Sequence, residues 1–247
     1  AVQKGSQSAY WLIGHEWGNN KFSAWMIDKN GFNPVPVEST SGTAHVQIQE
    51  HNIINSIGNM KLNPQGNRLA VVLLRASLVE IFDFDNETGI VSNPISIEFD
   101  YEAVYSAEFS PDGTKLYITS IRSLYQLDLE AGSSEDIAAS LTEIYEESYY
   151  MGTMQSAPNG KIYCTVDESD HLGVIHNPNA AASECNYESQ ALYLEGGQSR
   201  LGLPNFISSH FIPPGFYAYP ACYGAETHFY IPDTAGLDSV LWNFDDP

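Results

Sequence analysis

The sequence predicts an all-β protein, a β-propeller of four-stranded antiparallel blades, on three observations. Asn63-Pro64-Gln65-Gly66, Ser110-Pro111-Asp112-Gly113 and Ala157-Pro158-Asn159-Gly160 repeat one turn at an interval of 47 residues, and a fixed period of this size marks a repeat protein. Proline at the second turn position and glycine at the fourth is the chemistry of a type I turn, and each turn lies between short runs of apolar, β-branched or aromatic residues, as strands do. Leu116-Tyr117-Ile118-Thr119 and Val79-Glu80-Ile81-Phe82-Asp83-Phe84 alternate with the two-residue period of a strand. Helical periodicity and the ~20–30-residue spacing of leucine-rich repeats are both missing, which argues against a solenoid.

In chain order, Tyr10–Gly14 and Phe22–Asp28 match the second and third strands of a first blade, at about 1–50. Only Ala1 to about Ser8 is left for its first strand and turn, so the chain is expected to open inside a blade. The second blade, 51–99, reads as Gly58–Leu62, Arg68–Leu73, Leu78–Phe84 and Val91–Phe99. The third, 100–147, reads as Val104–Phe109, Lys115–Ser120, Ser123–Leu129 and a weaker strand through Ala138–Ile144. The fourth, 148–197, reads as Met151–Gln155, Lys161–Val166, His171–His176 and Ala191–Leu194. Met60, Ala107, Met154 and Leu201 are again 47 apart, so Arg200-Leu201-Gly202-Leu203-Pro204-Asn205-Phe206 starts a fifth blade over 198–211. About four and a half blades are thus expected over 1–211, a fragment of a seven-bladed propeller, an architecture that leaves only short, protected sheet edges.

Beyond it, Ile212-Pro213-Pro214-Gly215 is a stiff chain break opening a linker over 212–221. Thr227–Ile231 and Ser239–Phe244 alternate as strands of a second module over 222–247, too few to bury a sandwich core of their own. Trp242 is expected to be buried where these strands dock on the propeller or on another chain.

Ten basic against 31 acidic residues give a net charge of −21, which repels nucleic acid phosphates and anionic lipid heads. Nucleic acid is excluded as a partner on that ground. No run reaches transmembrane length, so no membrane insertion is expected.

Tyr10-Trp11-Leu12-Ile13-Gly14-His15-Glu16-Trp17, the three turns, Cys185-Asn186-Tyr187 and Leu201-Gly202-Leu203-Pro204-Asn205-Phe206 together resemble the propeller region of large type IX-secreted, cell-surface proteins of gliding bacteria. In that family the propeller precedes PKD-like immunoglobulin-type modules and a gliding-motility-associated C-terminal sorting domain. Cys222-Tyr223-Gly224 and Val240-Leu241-Trp242-Asn243-Phe244-Asp245-Asp246-Pro247 resemble the opening strands of such a PKD-like module, with Asp245 where the family carries glycine. The resemblance implies export, an extracellular place at the cell surface, and attachment to the remainder of a longer polypeptide. It implies a surface protein or polysaccharide as partner, and it implies no reaction.

Three cysteines permit one disulfide. Cys164 lies mid-strand in Ile162-Tyr163-Cys164-Thr165 and reads as a buried thiol. Cys185 and Cys222 fall in loop-like sequence, and an oxidising exterior allows them to pair if their Cα atoms lie within ~7 Å. The three lack zinc-ligand spacing.

The sequence contains no Gly-x-Ser-x-Gly elbow, no His-Glu-x-x-His and no phosphate loop, so no residue is assigned a catalytic role. No cofactor is expected. Asp83-Phe84-Asp85-Asn86-Glu87 has the look of a calcium-loop fragment, but it lies where a blade turns from third to fourth strand and reads more simply as a solvated rim. Trp11, Trp17 and Trp25 read as blade-packing residues rather than a sugar platform.

One constellation remains. Of only four arginines, Arg75 and Arg122 are 47 apart, in the loop between second and third strands, and Arg200 enters the fifth blade from the connection after Ala191–Leu194. In a propeller these loops and connections lie on one face. The three arginines are therefore expected to surround one channel mouth, joined by His15 of the first blade and by Asp167, Glu168, Asp170 and His171 of the fourth. Guanidinium groups on an acidic chain suit a carboxylate or other anionic ligand, because their planar fork donates bidentately. The alternative is that they pair with Asp100, Glu102, Glu146 and Glu147 of neighbouring loops. Two function classes follow: a non-catalytic binding and display module, adhesion-type, for a protein or polysaccharide, and a lactonase-, lyase- or glycosidase-like enzyme with His15 or His171 as general base. Fold analogy alone does not choose between them.

Overall fold

The structure is a computed structural model and describes residues 2–3, 9–48, 53–54, 57–100, 103–204, 217–219 and 228–230. The chain divides into two compact units, Ala1–Phe211 and Ile212–Pro247.

In the first unit, blade 1 consists of β1 (Val2–Gln3), β2 (Tyr10–His15), β3 (Lys21–Asp28), β4 (Gly31–Phe32) and β5 (Val37–Thr40), with β4 and β5 both paired to β3. Its inner strand is thus present, paired through Val2 with Trp11 and Gln3 with Tyr10. A hairpin of β6 (Gln47–Ile48) and β7 (Ile53–Ile54) follows. Blade 2 is β8 (Met60–Leu62), β9 (Arg68–Leu73), β10 (Leu78–Asp85) and β11 (Ile90–Glu98). Blade 3 is β12 (Val104–Phe109), β13 (Lys115–Ser120), β14 (Ser123–Asp128) and β15 (Thr142–Glu146). Blade 4 is β16 (Met151–Ser156), β17 (Ile162–Val166), β18 (His171–Ile175) and β19 (Tyr187–Tyr193). In blades 2 to 4 the strands pair in sequence order, each antiparallel to the next.

Pro64, Pro111 and Pro158 occupy the same turn in three blades, between inner and second strands. Gly66 N–H donates to Asn63 O at 3.0 Å, Gly113 N–H to Ser110 O at 2.9 Å and Gly160 N–H to Ala157 O at 3.0 Å. The three glycines take φ of 70°, 76° and 74°, a left-handed conformation that a side chain disfavours.

Two outer strands differ from the sequence reading. Ala138 lies in a helix, α1 (Ser134–Ala139), and the outer strand of blade 3 begins only at Thr142. Ser133 and Asp136 close a capping box at the helix start, and Ile137 is buried beneath it, so local capping overrides the strand pattern. In blade 4 the outer strand starts at Tyr187 rather than Ala191, bulging opposite Leu172 and Val174. Its polar Glu188-Ser189-Gln190 run is tolerated because an outer edge faces water.

The core lies between blades. Leu116 and Ile118 of β13 join Ala70, Val72, Ile81 and Val104 in a cluster shared by blades 2 and 3, whereas Tyr117 joins Met151, Met154, Ile162 and Ile175 between blades 3 and 4. β9 divides its side chains the same way, with Leu69 and Val71 packed against Trp11 and Phe22 of blade 1. Successive strand residues point to opposite faces, so a strand flanked on both sides buries residues of both faces rather than of alternate positions only.

In the second unit, β20 (Tyr217–Tyr219) pairs antiparallel with β21 (His228–Tyr230). β20 lies in the stretch read as linker. Cys222, Ser239–Phe244 and Trp242 lie outside the described residues.

Candidate functional site

Hydrogen bonds join the loops between second and third strands to the connections between blades. Phe99 N–H donates to Ser77 O at 2.8 Å, Met151 N–H to Ile121 O at 2.9 Å, Asp167 N–H to Tyr150 O at 2.8 Å and Ser199 N–H to Ser169 O at 2.8 Å. These loops and connections therefore lie at one end of blades 2 to 4, where Arg75, Arg122, Asp170, His171 and Arg200 stand.

Arg75 sits in the single helical turn Leu74–Ala76 between β9 and β10. Arg122 sits in the tight turn between β13 and β14. Both are exposed, and neither forms an ion pair among the described residues. Asp100, Glu146 and Glu147, the acidic partners of the alternative reading, do not pair with them; Glu102 lies outside the described residues. Arg200 differs. Its Nη1 lies 3.0 Å from Glu168 Oε1 and 3.6 Å from Asp167 Oδ1, so the fourth blade supplies the counter-charge for this one arginine. Asp170 and His171 are paired through Oδ1 and Nδ1 at 2.7 Å, and the imidazole lies 5.1 Å from the ring of Tyr193.

His15 is set apart from these, in a cleft between blades 1 and 2. Its ring stacks on His45 with centroids 3.4 Å apart and meets Phe22 edge-on at 4.6 Å. Burial pushes both imidazoles below the usual histidine range, His45 down to about 4. The cleft has a volume of about 270 Å³.

Sequence reasoning missed a buried polar chain on the inner strands. Lys61 Nζ lies 2.6 Å from Glu108 Oε2 and donates to Gln155 Oε1 at 2.9 Å. Ser156 Oγ donates to Glu108 Oε1 at 3.1 Å. Lys61, Glu108 and Gln155 belong to β8, β12 and β16, so one lysine ties three blades together. Burial pushes the Glu108 carboxyl up, against the pull of Lys61 and Ser156. The signal was present in the sequence, because these positions are also 47 apart, each one residue after the inner-strand position that marks the blades.

Cys185 carries a free, fully buried thiol beneath a loop held to blade 3 by Tyr117 and Gln126. Tyr117 Oη donates to Pro178 O at 2.8 Å, and Gln126 Nε2 donates to Tyr117 Oη at 2.8 Å. Cys164 is also free and buried. In the acidic turn after β10, Asp85 Oδ1 accepts the backbone N–H groups of Glu87 and Thr88, and the Trp11 indole donates to Asn86 O at 2.7 Å. Trp11 thus packs between blades 1 and 2, whereas Trp17 is 52% exposed.

Consecutive four-stranded antiparallel blades, with a core between each pair and their loops gathered on one face, define a β-propeller. No protein family and no curated protein matches the sequence. Solved structures do match its fold. A protein of unknown function from Desulfotomaculum acetoxidans aligns with a TM-score of 0.54 and 14% identity over 82% of this chain and 58% of that one. A Lactobacillus plantarum protein aligns at 0.52 and 14%, over 80% and 57%. A candidate 6-phosphogluconolactonase from Bacteroides uniformis aligns at 0.50 and 12%, over 74% and 55%. The chain thus spans a little over half the length of these proteins, and the likeness is one of fold.

Proposed function

We propose that this chain is the binding propeller of a secreted, cell-surface protein, holding a protein or polysaccharide partner at the channel mouth through the partner's carboxylates. The observation that carries this reading is the exposure of Arg75 and Arg122 at equivalent loops, without ion pairs among the described residues, on a chain of net charge −21. A guanidinium left without a counter-charge on an acidic surface is a site for an external anion, and its fork binds a carboxylate bidentately. Tyr149 and Tyr150, 63% and 53% exposed, lie in the segment whose Glu147 and Met151 N–H groups bond to Arg122 O and Ile121 O. Tyrosine and arginine are the residue types that anchor interfaces. Because the whole chain repels dense polyanions, the partner presents isolated carboxylates, as uronic or sialic acid termini or acidic side chains do.

Resemblance of the sequence motifs to type IX-secreted surface proteins of gliding bacteria supports the extracellular location and a PKD-like module after the propeller. Protease treatment of intact gliding cells expressing the tagged full-length protein should remove the propeller; full protection would refute surface display. On an array of glycans with isolated acidic termini and of acidic peptides, the double variant R75A/R122A should lose at least tenfold in affinity. Unchanged binding would refute the mouth site.

A second reading, a lactonase-type enzyme, is favoured by the Asp170–His171 pair, in which a carboxylate orients an imidazole as a general base requires. One structure of matching fold carries the name of a candidate 6-phosphogluconolactonase. Lactone hydrolysis abolished by His171→Ala would establish this reading over the first.

A further inference from the structure

We propose that the cleft between blades 1 and 2 is a second binding site, for one uncharged sugar ring. The cleft is bounded by His15, Glu16 and Trp17 at the end of β2, by His45, by Ile57–Met60 leading into β8, and by Val71–Leu73 of β9. Its volume of about 270 Å³ lies just under the ~300–1,000 Å³ of small-molecule sites, room for a monosaccharide and not for a folded peptide.

The walls specify the chemistry. Trp17, Ile57 and Met60 are 52%, 47% and 36% exposed, and an indole beside aliphatic side chains is a stacking surface for the apolar face of a ring. His15 Nδ1 lies 2.8 Å from Glu16 O. A carbonyl only accepts, so Nδ1 carries the proton and donates it, and in the neutral ring Nε2 is an acceptor. Nε2 is buried and has no hydrogen-bond partner among the described residues, and a ligand hydroxyl is the donor that would satisfy it.

Charge is excluded from the same cleft. Among the described residues no arginine or lysine lines it. The one carboxylate among its described lining residues, Glu16, accepts from Asn19 Nδ2 at 3.0 Å and pairs with Lys21 Nζ at 3.0 Å. Burial keeps both histidines neutral near pH 7. A ligand with hydroxyls, one apolar face and no charge is what remains. This inference does not rest on the mouth arginines.

Saturation-transfer NMR of the full chain with methyl glycosides of glucose, galactose, mannose and N-acetylglucosamine tests it. At least one should bind, with a dissociation constant on the order of millimolar for a ligand of this size. Trp17→Ala, at an exposed position, should abolish binding, and His15→Phe, which keeps the ring stack but removes the acceptor, should weaken it roughly tenfold. R75A/R122A should leave it unchanged, so failure of the mouth site and failure of the cleft are separable. Binding by none of the four glycosides, or binding that survives Trp17→Ala, would overturn the proposal; Trp17→Ala alone suffices should the His15 variant not fold.

Discussion

Lys61 and Arg122 each carry one positive charge on neighbouring blades, yet the molecule treats them in opposite ways. Lys61 is buried on an inner strand and paired with Glu108 and Gln155. Arg122 stands on the rim without an ion pair among the described residues. The difference is one of dielectric. Removing a charge from water costs several kcal/mol unless a partner is provided, so an inner strand accommodates Lys61 only together with Glu108. On the rim water solvates the guanidinium at little cost, and the charge stays open to an external ligand.

The sharpest way to break this comparison is Lys61→Ala, which leaves Glu108 buried without its counter-charge. A loss of about 3–5 kcal/mol in urea unfolding is expected, whereas Lys61→Met with Glu108→Leu, which removes the pair together, should stay within ~1–2 kcal/mol of the parent. A single variant as mild as Arg122→Ala would show that water reaches the inner strands.

The stacked histidines give the next largest effect, and sharpen the same point with titration in place of mutation. His45 is held neutral with its pKa lowered to about 4, so the unfolded chain binds a proton that the folded chain refuses. Stability is therefore whole above pH ~6.5 and falls as pH drops toward about 4. The half-exposed ring reduces this loss to roughly 1–2 kcal/mol, visible as a pH-dependent gap in urea midpoint between the parent and His45→Gln.

Smallest are the rim arginines. Arg200→Ala should move the urea midpoint only slightly, and less at high salt, because its pair with Glu168 is exposed. Arg75→Ala and Arg122→Ala should shift stability by no more than ~0.5 kcal/mol. A larger loss at Arg75 or Arg122 would mean that these side chains hold the fold rather than wait for a ligand.

Much of this was legible in the chain. The repeated Pro-x-Gly turn placed the inner and second strands of three blades, because proline and left-handed glycine restrict the backbone whatever surrounds it. Leu116-Tyr117-Ile118-Thr119 shows a strand by its alternation, whereas its burial on both faces follows only from the neighbouring blades. Legibility failed at the outer strands. The Ser133–Asp136 capping box turned the run before Thr142 into helix, and polar Glu188-Ser189-Gln190 carried no apolar signal for β19. It failed also at the charged groups. Lys61, Glu108 and Gln155 share the repeat interval, but their types alone do not say that they face one another.

What the sequence by itself determined is the repeat, its antiparallel strands and turns, and the loops on which Arg75 and Arg122 stand, since these follow from backbone restriction and from the two-residue alternation of local segments. What only the tertiary structure decided is pairing: Arg200 with Glu168, Lys61 with Glu108, His15 with His45. Such partners lie about 30 or more residues apart in the chain, and electrostatic and stacking energies depend on distances of a few ångströms that exist only once the blades close on one another.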